Sequence, residues 1–470
     1  MTDPTPNRPA AVLLAVQLPG VTDADLAAEL AELRRLVHTL GAEVVATVTQ
    51  KRSGLAAAAV VGSGKLVELA RLTGGTGVVP KGAPAHKDKA RLAREAEEGA
   101  EDQGPEDDGE AVEEGEPAAE GEAATATRRA TLVVVDHQIT PSQARNLERA
   151  TGAQVLDRAG VIVEILHRHA RSREARLQVE LARLAYVAPR LRESGGGGQG
   201  QRGGIGGKGA GESELELDRR RIRDRMAALR QELEAIERDQ QNRRVHRREQ
   251  RRVALVGYTN AGKSSLMRAL TGSEVLVADQ LFATLDTTVR ALHPEARPRV
   301  LVSDTVGFIK KLPHELVASF RSTLDEALEA ALLLFVVDAS DPGHREQLAV
   351  TRDVLGEIGA DQIPSRLLLN KVDRIGEAER AALRAEYPEA TLLSAKAPAD
   401  VVALRDQIVA FFEATMVDGE LRVPYGRQNL LGKVHEEARV LSEEYDEAGA
   451  RLLVRAHPAG LERLRNLLGR

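Results

Sequence analysis

Gly257-Tyr258-Thr259-Asn260-Ala261-Gly262-Lys263-Ser264 runs as a glycine, four residues, a second glycine, then lysine and serine. Residues 253–256 before it are apolar and read as a short buried strand, and residues 264–270 after it read as a helix. A phosphate loop requires that context. The glycines let backbone N–H groups turn toward phosphate oxygens, and the helix N-terminus adds favourable partial charge. Lys263 would bridge the β- and γ-phosphates, and Ser264 would ligate magnesium. A P-loop α/β domain follows.

The base is addressed further along. Asn370-Lys371-Val372-Asp373 follows the apolar strand at residues 367–369, about 110 residues after the loop. A carboxylate at that place can accept from both the N1–H and the exocyclic amino group of guanine. Adenine lacks that donor pair, so GTP and GDP are selected over adenine nucleotides. Ser394-Ala395-Lys396, after a strand at residues 390–393, fits a backbone loop touching the guanine oxygen. Asp304-Thr305-Val306-Gly307 closes a strand at residues 300–303. Asp304 would hold magnesium through water, and the Gly307 N–H would sense the γ-phosphate. Between these motifs lies Phe282-Ala283-Thr284-Leu285-Asp286. Its Thr284 is the candidate second magnesium-binding hydroxyl, in a segment ordered by GTP, with Thr287 and Thr288 as competitors.

Two residues bear on rate. Phe308 stands where Ras-like proteins place a water-orienting glutamine, and a phenyl ring cannot orient water. Slow hydrolysis by the isolated chain is expected, with a partner or another residue completing the site. Asn260 matches the residue that helps bind potassium in some related GTPases; the alternative is that it only braces the loop.

Outward from this centre, residues 11–16 and 44–48 read as strands around a helix at 23–40. Residues 131–135 form a further strand, a capped helix opens at Thr140-Pro141-Ser142, and residues 155–157 and 161–165 continue the pattern. Strands alternating with helices imply a mostly parallel sheet. Residues 97–122 hold 13 Asp and Glu and no Lys or Arg, which moves the rest of the chain from −6 to +7. This insert, built of Glu, Ala, Gly and Pro, is expected to be disordered. The mildly basic remainder permits a polyanionic partner.

Two helices follow. The first, at 173–191, carries Leu177, Leu181, Leu184 and Leu191 on one side. The second, at 213–247 with Ser213 as N-cap, has Ile222, Met226, Leu229, Leu233 and Ile236 at coiled-coil spacing. They are expected to pair as an antiparallel hairpin. In its tip, residues 194–211, eleven of eighteen residues are glycine, and the charges are Arg202 and Lys208. The tip reads as a flexible linker or as a segment able to mould to an RNA crevice. The arginines of the second helix and after it (Arg219, Arg220, Arg221, Arg223, Arg243, Arg244, Arg247, Arg248, Arg251, Arg252) could contact phosphates. The alternative is a solvated face of Glu–Arg pairs, since Asp218, Glu232, Glu234 and Glu237 are interspersed. Gly62-Ser63-Gly64-Lys65 resembles a shortened phosphate loop, but Leu66 follows the lysine, and a strand-to-helix turn competes with a second nucleotide site.

With its phosphate loop, FATLD, DTVGF and NKVD in one order, the chain resembles the HflX GTPases of the Obg-related group. The likeness extends to Val134-Val135-Asp136-His137-Gln138, to Thr140-Pro141-Ser142-Gln143-Ala144-Arg145-Asn146-Leu147-Glu148, and to Gln178-Val179-Glu180-Leu181-Ala182. It also takes in a small C-terminal α/β domain from Val423-Pro424-Tyr425 to Leu468. The layout expected is an N-terminal α/β domain at 10–172 with the acidic insert at about 97–127. A helical hairpin at 173–250, a Ras-like GTPase domain at 251–415 and a C-terminal domain at 420–470 follow.

The resemblance implies a GTPase that binds the large ribosomal subunit and its RNA and splits or rescues stalled ribosomes, notably in stress. Its hydrolysis would be ribosome-stimulated, its cofactors magnesium with potassium as a further candidate, and Arg202 and Lys208 its candidate RNA contacts. Competing readings are a GTPase of ribosome assembly or RNA modification, an ATP-driven RNA remodeller using the N-terminal domain, and a switch with protein partners. The absence of cysteine excludes disulfides and thiolate metal sites. The longest apolar run, residues 330–337, is far short of the ~20 residues that span a bilayer. MTDPTPNRPA lacks a signal pattern. A cytoplasmic, ribosome-associating monomer that does not bind DNA is expected.

Overall fold

The computed structural model describes residues 8–79, 128–194, 214–245, 251–272, 281–282, 288–310 and 327–469. The acidic insert, the glycine-rich tip and Ala283 to Thr287 lie outside the described residues. The chain forms two compact units, residues 1–158 and 159–470.

In the first unit, β1 (Ala10–Gln17), β2 (Glu43–Lys51), β3 (Leu132–Val135) and β4 (Gln154–Asp157) form a parallel sheet in the order β2-β1-β3-β4. Helix α1 (Asp23–Thr39) joins β1 to β2, and α3 (Pro141–Thr151) joins β3 to β4. The two crossovers run in opposite directions along the sheet. Right-handedness therefore puts their helices on opposite faces. Val12, Leu14, Val133 and Val135 share one core with Leu66 and Leu69 of α2 (Ser63–Thr73) and Leu147 of α3. The Thr140-Pro141-Ser142-Gln143 signal acts as read: Thr140 and Gln143 close a capping box, with proline in the first turn. The Gln143 and Asn146 amides donate to the Ala56 and Ala58 carbonyls. Arg158 is buried against Asp136 and Glu32.

Gly62 is the N-cap of α2, but a turn closed by the Ala56–Val60 bridge precedes it, not a strand. The Gly62 N–H donates to Gln50, and Lys65 pairs with Glu68 at 2.7 Å. Those groups are thus engaged within the unit.

In the second unit, residues 161–165 lie within α4 (Arg158–His169). Helices α5 (Arg173–Ser194) and α6 (Glu214–Val245) run antiparallel: Glu180 pairs with Arg225, and Arg173 pairs with Glu232 further along α6. Leu229, central in the seam, is fully buried.

The largest sheet has the order β10-β9-β8-β5-β7-β6. Its strands are β5 (Arg251–Val256), β6 (Thr288–Ala291), β7 (Val300–Asp304), β8 (Leu332–Asp338), β9 (Ser365–Asn370) and β10 (Thr391–Leu392). All pairings are parallel except β6 with β7. Buried parallel strands need apolar residues on both faces; accordingly β5 and β8 feed two cores, one with Leu266 and Leu270 of α7 (Lys263–Thr271), the other with Phe308 and Leu355 of α8 (His344–Glu357). Helices α9 (Glu377–Glu386) and α10 (Pro398–Glu413) complete this part. Arg251 and Arg252, grouped with the basic helix in the sequence reading, are instead β5 residues. The Arg252 guanidinium is buried and held by Glu329 at 2.5 Å, so it is not an RNA-facing group.

Beyond it, β11 (Val417–Pro424), β12 (Ala438–Asp446) and β13 (Gly449–Ala456) form an antiparallel sheet in the order β11-β13-β12. Helices α11 (Leu431–Glu437) and α12 (Pro458–Leu468) share a core with it. Among the described residues, no helix is long and apolar enough to cross a membrane.

Candidate functional site

Strand β5 has neighbours reached by crossovers in both directions, β7 on one side and β8 on the other. In an open α/β sheet such a reversal leaves a crevice beyond the carboxyl ends of the strands. The site motifs converge there. Gly257 leaves β5 at φ +150°, and a Cβ on it would meet the Val336 carbonyl oxygen at 2.2 Å, so only glycine lets the loop depart against β8. Gly262 caps α7 in a left-handed conformation. The Lys263 side chain is buried and donates to the Gly257 and Tyr258 carbonyls at 3.0 and 2.8 Å. Burial pushes its ammonium down to about 8, against the pull of the Asp304 carboxylate.

Asp304 ends β7, and Ser264 Oγ donates to its Oδ2 at 2.7 Å. The serine and aspartate singled out as magnesium ligands are thus adjacent. Both present hard oxygen donors, the chemistry that suits magnesium. The neighbouring Thr305 hydroxyl donates to the Leu255 carbonyl at 2.8 Å, and Val306 is buried, so these side chains brace the turn. Phe282 is buried with φ +57°, and His169 Nδ1 lies 3.0 Å from its carbonyl oxygen. Ala283, Thr284, Leu285 and Asp286 lie outside the described residues. The competitor Thr288 opens β6, opposite Asp304 in register.

The motifs expected to read the base are tied to the phosphate loop by long-range bonds. Asn370 Nδ2 donates to the Ala261 carbonyl at 2.9 Å, and its Oδ1 accepts from the Ala395 N–H at 3.1 Å. Lys371 donates to the Asn260 carbonyl at 2.6 Å and to Asp338 Oδ2 at 2.7 Å. Asn260 is itself left-handed (φ +61°), a conformation asparagine tolerates. Asp373 Oδ1 accepts from Ser394 Oγ at 2.7 Å, and Lys396 stands 3.8 Å from Oδ2. The Ser394 bond holds the Asp373 carboxyl below its usual range, so it is ionised at neutral pH. Val372 packs into an apolar cluster and contributes no polar side chain.

Two residues, Asp338 and Asp400, and one contact of the phosphate-loop residue Tyr258 were not foreseen. Asp338 clamps Lys371, Asp400 accepts from the Ser394 N–H at 2.8 Å, and the Tyr258 hydroxyl accepts from the Lys310 N–H at 2.7 Å. Asp338 had a usable signal: like Asp304 and Asn370, it is a polar residue at the carboxyl end of an apolar strand. Asp400 and Tyr258 had none, because their partners are set by the folding of two loops.

On α6, Arg221 pairs with Asp218, Arg225 with Glu180 and Arg238 with Glu234, and Arg220 and Arg223 are exposed. Arg202, Lys208, Arg247 and Arg248 lie outside the described residues, as do the side chains of Arg243 and Arg244.

Comparison with known proteins gives three family matches. Residues 27–79 and 112–166 match the model described as GTP-binding GTPase N-terminal, residues 169–247 the GTP-binding GTPase Middle Region, and residues 252–371 the 50S ribosome-binding GTPase. The GTPase HflX of Gluconacetobacter diazotrophicus is 64% identical over 98% of this chain and 98% of its own length. That of Caldanaerobacter subterraneus subsp. tengcongensis is 35% identical over 93% of this chain and 89% of its own. The Escherichia coli GTPase HflX is 39% identical over 68% of this chain and 76% of its own.

Proposed function

The chain belongs to the HflX family of GTPases, and from that premise we propose that it binds the large ribosomal subunit in its GTP form, helps separate stalled or idle ribosomes, and leaves after hydrolysis. The observation that carries the nucleotide part is the convergence of Lys263, Asp304, Asn370 and Asp373 at one sheet edge, held by the bonds of Asn370 and Lys371 to the phosphate loop. The ribosomal part is supported by the match of residues 252–371 to a family described as ribosome-binding.

In this reading the amides of residues 257–264 and the α7 N-terminus cradle the phosphates. Lys263 exchanges the loop carbonyls for phosphate oxygens. Ser264, Asp304 and Thr284 would hold magnesium, which supplies charge neutralisation at the β- and γ-phosphates. Asp373 reads the guanine donors, with Ser394, Ala395 and Lys396 completing the base pocket. Asn260 is a candidate potassium contact, checked by comparing hydrolysis in potassium and in sodium. The exposed arginines of α6, with Arg202 and Lys208, would meet ribosomal RNA.

The test is GTP hydrolysis by the purified chain, alone and with large ribosomal subunits, with Lys263→Ala as control. Strong stimulation, lost in the variant, is expected, together with co-sedimentation in a non-hydrolysable GTP analogue. The absence of both stimulation and co-sedimentation would refute the ribosomal role and leave a GTPase switch with another partner.

A further inference from the structure

Hydrolysis needs a group that aligns water with the γ-phosphorus, and the residue after Gly307 does not supply it. The Phe308 ring is buried with Ala254, Val256, Leu333 and Leu355. Its backbone is stitched to the phosphate loop in both directions: the Thr259 N–H donates to the Phe308 carbonyl at 2.7 Å, and the Phe308 N–H to the Gly257 carbonyl at 3.1 Å. The ring therefore points into the core and away from the loop.

The same stitching brings another side chain to Gly307. Thr259 is 7% exposed, and its Oγ1 is buried without a hydrogen-bond partner. Buried hydroxyls are nearly always bonded, so an orphan beside a phosphate loop calls for an explanation. A Cβ placed on Gly307 would lie 2.8 Å from both Thr259 Cα and Cγ2, and 2.9 Å from Lys263 Nζ. The Thr259 backbone and methyl, the Lys263 ammonium and the glycine expected to sense the γ-phosphate thus meet at one point, and the unbonded hydroxyl sits on the same β-carbon as that methyl. Most other polar groups of the loop are engaged: Lys263 on two carbonyls, Ser264 on Asp304, and the Tyr258 hydroxyl on Lys310.

We propose that the Thr259 hydroxyl is a catalytic group of GTP hydrolysis. Its oxygen accepts a hydrogen bond from the attacking water, and its proton is shared with a γ-phosphate oxygen, since a hydroxyl can do both at once. The water oxygen bonds to the γ-phosphorus, the bond from phosphorus to the β-γ bridging oxygen breaks, and GDP leaves with that electron pair. The water proton ends on the inorganic phosphate, and Thr259 neither gains nor loses one. The inference rests on reading residues 257–264 as the GTP site.

Thr259→Val keeps the branched shape without the hydroxyl, Thr259→Ala removes both, and Thr259→Ser keeps the hydroxyl. Single-turnover GTP hydrolysis is measured on the full chain, with and without large ribosomal subunits, and fluorescent GDP binding on the same samples. Both hydroxyl-free variants should lose on the order of a hundredfold in rate, the effect of deleting one aligned transition-state hydrogen bond. Their GDP affinity should stay within about twofold, and Thr259→Ser should recover most of the rate. Hydrolysis at the wild-type rate in either hydroxyl-free variant would overturn the proposal. So would a parallel loss of GDP binding, which would assign Thr259 to loop shape. A wild-type chain that neither binds nor hydrolyses GTP would instead sink the underlying site reading.

Discussion

Replacing Asp373 by asparagine is the sharpest test of how the base is read. Asp373 Oδ1 accepts from Ser394 Oγ at 2.7 Å. Asparagine can keep that bond only by keeping its oxygen on the same side, which fixes the amide. Its NH2 then takes the place of Oδ2, 3.8 Å from the Lys396 ammonium. Guanine offers two donors, so one charge-assisted hydrogen bond is lost and one donor is left facing another. The first effect is worth about 1.5–3 kcal/mol and the second about 1–3 kcal/mol. A combined loss of about 2.5–6 kcal/mol weakens GDP binding by roughly seventyfold or more. Xanthine carries a carbonyl where guanine carries its amino group, so the variant should gain xanthosine diphosphate. Asp373 is 37% exposed, so melting should move little. Titration of fluorescent GDP and its xanthine counterpart reads both effects. GDP binding within about threefold of wild type, with no gain for xanthine, would refute the assignment of Asp373 and exceed what a lost charge-assisted bond allows.

The other predictions follow from groups that the fold couples. Asp338→Ala leaves Lys371 without its 2.7 Å partner in a site where both side chains are about 15% exposed; an unfolding loss of about 3 kcal/mol is expected in urea titration, and an unchanged midpoint would show the clamp to be idle. Phe308→Gln should not speed hydrolysis, because the side chain enters the core; it should instead cost about 3 kcal/mol or more of stability, read in the same titration. Faster turnover in that variant would contradict the ring's placement. Lys263 titrates near 8 in the free chain because it is buried, whereas an unfolded lysine titrates near ~10.4. Between those values the unfolded chain holds more protons, so stability of the free chain rises with pH. Phosphate restores the charged form, so GDP binding takes up a proton above about pH 8 and weakens by at most tenfold per unit. Calorimetry in buffers of different ionisation enthalpy checks the uptake, and Lys263→Met should abolish it.

Much of the site was legible because its constraints are local. A phosphate loop needs glycines, a lysine and a helix N-terminus within eight consecutive residues, and Gly257 to Ser264 supplies them. The capping box at Thr140 and Gln143 spans three residues and could be read in the same way. The parallel sheets followed from apolar runs alternating with helical periodicity. The direction in which a side chain points is less local. Arg251 and Arg252 continue a basic run in the sequence, but β-pairing with β7 takes Arg252 into the protein.

By itself, then, the sequence determined the P-loop α/β class, the preference for guanine and the antiparallel helical pair, since each is written in short-range spacing and in the residue types that spacing demands. Only the tertiary structure decided that the Phe308 ring faces the core, that Asp338 holds Lys371, and that Thr259 packs its methyl against Gly307 while its hydroxyl is buried without a hydrogen-bond partner. Those outcomes depend on which loops meet at the carboxyl edge of the sheet, and contacts between residues scores of positions apart leave no periodicity in the chain to read.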